Sequence, residues 1–92
     1  MNNRILEEAQ REIGKKSRAE IEAETAWKWA ARAAAAYVYY ETGRTVRSNE
    51  HWLADATDYY HEAIEHAALA DHSGTLLREV RRWVHQFIPK GL

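Results

Sequence analysis

Ninety-two residues, 46% hydrophobic and 29% charged with a formal net charge of -1, read as one globular domain spanning 1–92. A near-neutral balance gives no whole-chain attraction to a polyanion, and the absence of Cys excludes disulfide and thiolate chemistry and suits a reducing cytoplasm. No apolar run reaches the ~18 residues of a membrane span; the longest, from Ala30 to Tyr40, is interrupted by Arg32.

Four Gly and one Pro divide the chain into helical blocks. The spacing predicts helices over 3–13, 18–42, 48–71 and 75–88. The first block carries Leu6, Ala9 and Ile13 on one side, and no apolar stretch of a secretory signal precedes it. Ser17 followed by Glu20 is a capping box at the start of the second block. That block is apolar over more than half its circumference: Ala23, Ala26, Trp27, Ala30, Ala33, Ala34, Tyr37 and Val38 form its centre. Its polar strip is narrow, Glu24, Lys28 and Arg32, with Glu24 and Lys28 spaced for an ion pair. A helix with so wide an apolar arc must touch more than one neighbour, so it is expected at the centre of the fold.

The third block is sharply two-faced. Leu53, Ala56, Tyr60, Ala63, Ile64 and Ala67 share one side. His51, Asp55, Asp58, Glu62 and Glu65 lie within about 80° of the helical wheel on the other, extended by His66. Between residues 48 and 72 stand six acids (Glu50, Asp55, Asp58, Glu62, Glu65, Asp71) and no Lys or Arg.

The last block opens after Asp71 or Ser73 as cap. It sets Leu76, Leu77, Val80, Trp83, Val84, Phe87 and Ile88 on one stripe, with Arg78, Arg81, Arg82 and His85 opposite, and ends at Pro89. Arg78, Arg81, Arg82 and Lys90 against Glu79 give this tail a net charge of +3, and Arg44 and Arg47 precede it in a connecting segment. The macrodipole alone favours cations there, and no nucleic-acid partner is expected.

Catalytic patterns are missing. Ser17, Ser48 and Ser73 sit where caps belong, and no phosphate loop or nucleophile elbow occurs. His61 and His66 are five residues apart, which turns their imidazoles about 140° from each other and rules out the usual helical zinc pair. Arg81 and His85 are four apart, one short of the spacing used by helical ribonuclease-type domains.

The expected fold is therefore all-α: a small antiparallel bundle of three main helices plus a short N-terminal helix. The expected function is non-enzymatic, a cytoplasmic protein-interaction module that associates with itself or another protein, without a cofactor or a membrane. Trp29, Tyr39, Tyr40, Trp52 and Tyr59 are the interface candidates, because aromatic margins on helices favour interfaces. The alternative expectation is a ferritin-like oligomer binding a divalent metal through Glu62, Glu65 and His66, assisted by Asp58 and His61.

Overall fold

The computed structural model describes residues 4–5, 16–43 and 49–91. The described residues form three helices and no strand: α1 (Arg18–Thr42), α2 (Asn49–Ala70) and α3 (Thr75–Val84). None is long and apolar enough to cross a membrane. Of the expected helix over 3–13 only residues 4 and 5 are described, and the cap at Ser48 and the cations Arg44 and Arg47 lie outside the described residues.

Chemistry fixes both ends of α1. Ser17 holds an extended backbone, and its side chain accepts the Glu20 N–H at 3.2 Å. At the other end Gly43 turns left-handed, φ 59°, and returns its N–H to the Tyr39 carbonyl at 3.0 Å. A residue without Cβ takes that conformation without penalty.

α3 starts at Thr75 as expected, with Asp71 and Ser73 accepting its first N–H groups. Its N-cap is Gly74, φ 83°, which has no side chain to give. Asp71 substitutes from three residues earlier. Its carboxylate accepts from the Ser73 hydroxyl, the Ser73 N–H and the first-turn N–H of Leu76. Ser73 in turn accepts the Thr75 N–H. The helix ends earlier than the expected residue 88. After Val84 the chain tightens into turns in which Gln86 and Phe87 donate to the carbonyls of Trp83 and Val84, three residues back. Pro89 removes the next donor and disfavours helical backbone at Ile88. Ile88 still packs fully inside, so the apolar stripe outlasts the helix that carries it.

Alanines make the core between α1 and α2. Ala26, Ala30, Ala33 and Tyr37 are buried at i, i+4, i+7 and i+11, and Ala56, Tyr60, Ala63 and Ala67 repeat that spacing on α2. Contacts between the two helices run in opposite sequence order: Glu22 meets His66, Trp29 meets Tyr59, and Tyr39 meets Trp52. α3 and the turn after it close one side with Val80, Val84 and Ile88, the largest fully buried side chains among the described residues. Trp27, placed in the apolar centre by its spacing, lies at the rim instead and reaches Trp83; Val38 is exposed.

Candidate functional site

Every interface candidate falls along one seam. Trp29 stacks obliquely on Tyr59 with ring centres 5.4 Å apart, and Tyr39 on Trp52 at 4.8 Å. Tyr40 joins this edge through Tyr37 at 5.4 Å. Arg32 lies over the Trp29 ring at 4.8 Å, a cation–π contact. Trp29, Tyr40, Trp52 and Tyr59 are half-buried against the alanine core, and Tyr39 is 45% exposed.

This seam faces away from α3. Trp27 and Trp29 are two residues apart and so point about 160° from each other; Trp27 meets Trp83 of α3, and Trp29 meets Tyr59 of α2. Ile21 and Tyr39 share the Trp29 side of α1 within about 80° of arc, and both are exposed. Leu69 on α2 is 57% exposed.

The acid/His stripe is only partly gathered. His66 sits between two carboxylates, with Nδ1 2.5 Å from Glu22 Oε2 and Nε2 3.6 Å from Glu62 Oε2. Asp58, His61 and Glu65 remain on the exposed face. Among the described residues no group of three His, Asp or Glu side chains is disposed to hold a metal ion. Glu22 was not a sequence candidate. Its signal is positional: it stands four residues before Ala26, a charge at the head of the buried alanine column. Glu24, expected beside Lys28, instead pairs with Lys16 at 2.6 Å, and this carboxylate raises the Lys16 ammonium above its ordinary range.

A second polar group lies where α3 ends. Arg81 Nε donates to the Tyr60 hydroxyl at 3.3 Å, and that hydroxyl is 3.3 Å from His85 Nε2. The other His85 nitrogen, Nδ1, faces the Ile88 carbonyl at 3.0 Å. A carbonyl only accepts, so Nδ1 carries the proton and Nε2 accepts from Tyr60 when the ring is neutral. Sequence periodicity assigned Arg81 and His85 to the outer side of the last helix and Tyr60 to the core. The tertiary fold brings all three together.

No protein-family model, curated protein or solved structure matches this chain.

Proposed function

We propose that this chain is a non-enzymatic, cytoplasmic helical interaction module that self-associates, built as an antiparallel bundle, with the seam face of α1 and α2 as its contact surface. The observation carrying this reading is an inversion of side-chain size. Alanines occupy the centre of the α1–α2 contact, while all four tryptophans lie at the rim with part of their surface open. A buried alanine methyl contributes about 0.8 kcal/mol, against roughly 1.5–3 kcal/mol for a large apolar side chain. A small chain arranged this way gains by covering its rim with a second copy.

The reversed order of contacts supports the antiparallel arrangement. Supporting the surface itself are Tyr39, exposed and stacked on Trp52, and Ile21, exposed on the same side of α1 as Trp29. Rigid aromatic anchors of this kind concentrate binding energy at interfaces.

Sedimentation velocity across a wide concentration range tests the proposal. The expected result is a concentration-dependent dimer or larger species. Tyr39→Glu and Ile21→Glu should shift it to monomer with little change in the helical signal. A chain that stays monomeric at the highest concentration would overturn the reading.

The alternative of a divalent-metal-binding oligomer on Glu62, Glu65 and His66, assisted by Asp58 and His61, would need ligands from a second copy, since among the described residues no three such side chains are disposed to hold a metal ion. Melting in EDTA against a panel of divalent metals tests it. A ligand that binds only the folded state at a hundredfold excess over Kd adds about 2.7 kcal/mol. Identical melting curves would remove this alternative.

A further inference from the structure

The end of α3 opens into a cavity of about 540 Å³ lined by Arg81, Arg82, His85, Gln86 and Lys90. Its lining carries three permanent cations and no carboxylate. Among the described residues, Arg81, Arg82 and Lys90 make no ion pair. We propose that this cavity binds the phosphate group of a phosphorylated small molecule, with Arg81, Arg82 and Lys90 as its ligands.

Three features carry the assignment. Arg81 is held in place: its Nε donates to the hydroxyl of Tyr60, a residue of the core, which leaves the two terminal nitrogens for a bidentate oxyanion contact. The supporting hydroxyl is itself oriented by His85, whose ring is anchored on the Ile88 carbonyl. This chain of bonds seats Arg81 on a hydroxyl rather than on a carboxylate, so its charge is not neutralised there. The carbonyl end of α3 opposes an anion with only about half a charge. Its Arg81, Trp83 and Val84 carbonyls are also occupied by the N–H groups of residues 85–88. Three full positive charges outweigh that end.

Size and overall charge favour a small ligand over a nucleic-acid strand. The volume falls in the roughly 300–1,000 Å³ range of small-molecule sites. The cations cluster at one end of a chain of net charge -1, and α2 presents exposed acids that repel a polyanion.

The test is titration of the full chain with inorganic pyrophosphate, followed by calorimetry and by backbone amide shifts. The expected result is saturable one-to-one binding with shifts centred on Arg81, Arg82 and Gln86. Arg82→Gln and Lys90→Gln, both at exposed positions, should each weaken binding about tenfold, in line with the loss of one charge-assisted hydrogen bond. Tyr60→Phe should weaken it too, through release of Arg81, and a melting curve on that variant separates this from unfolding. Absence of saturable binding would overturn the proposal, as would unchanged affinity in the Arg82→Gln/Lys90→Gln double variant. Tighter binding to a DNA or RNA duplex than to pyrophosphate, with a steep salt dependence, would also overturn it in favour of a backbone-contacting surface. None of these readouts depends on whether the chain self-associates.

Discussion

The Trp27 indole meets Trp83 edge-on, ring centres 6.0 Å apart and planes at 87°. Trp83 also touches Phe87 at 5.0 Å, so one tryptophan ties α1 to both α3 and the turn that follows it. Trp83→Ala should cost roughly 2–3 kcal/mol, below the ~3–5 kcal/mol of a fully enclosed aromatic because Trp83 is half-buried. Trp27→Ala should cost less, since Trp27 is 37% exposed. A double-mutant cycle read by urea denaturation should return a coupling of about 0.5–1.5 kcal/mol for the edge-to-face pair. Strict additivity would mean that the rings merely adjoin.

The Asp71 carboxyl is held below its ordinary value of 3.8, first by the Ser73 hydroxyl, then by the N–H groups of Ser73 and Leu76. A depressed folded-state value means the carboxylate stabilises the fold fully above the unfolded value, and the contribution fades as pH falls through the folded one. The α2–α3 connection should therefore loosen in acid, below about pH 4. Asp71→Asn should lower the melting temperature at neutral pH and flatten the acid limb of the pH–stability curve. An unchanged acid limb would place the acid sensitivity elsewhere.

Gly43 adopts φ +59°, and among the described residues a Cβ there would meet only the Asn49 side chain, at 3.7 Å. Space is available, so the cost of a side chain is conformational. Gly43→Ala should destabilise by ~1 kcal/mol, the left-handed penalty of an L-residue. Gly43→Asn should recover part of that loss, because Asn tolerates the region better. Equal stability of all three chains by thermal melting would show that the turn relaxes to another conformation.

These positions also explain what the sequence discloses and what it conceals. The bounds of α1 are legible to the residue because Ser17 and Gly43 mark its ends by local chemistry. The end of α3 is not, because Ile88 continues the apolar stripe in a turn that buries it equally well. The seam rings are legible as helix margins, but the pairing of Trp29 with Tyr59 and Tyr39 with Trp52 depends on the register between helices. No period within one helix encodes that register. The same applies to the partnership of Glu22 with His66 and to the seating of Arg81 on Tyr60. Each joins residues more than twenty positions apart.

Register also makes the alanine column the most sensitive feature of the fold. Ala30 and Ala33 are fully enclosed on α1, as are Ala56, Ala63 and Ala67 on α2, so each of these positions fills its place with a methyl group alone. Ala33→Leu forces extra methylene and methyl groups into that contact and should cost ~1–3 kcal/mol by overpacking. Ala35, two residues on, faces solvent. The same substitution there should stay within about 0.5 kcal/mol. Helix propensity barely distinguishes the two variants, since alanine and leucine are both strong helix formers. Denaturant midpoints that separate Ala33→Leu from Ala35→Leu would locate the stability of α1 in its close approach to α2. Equal midpoints would mean that the helices spread apart to admit the larger side chain.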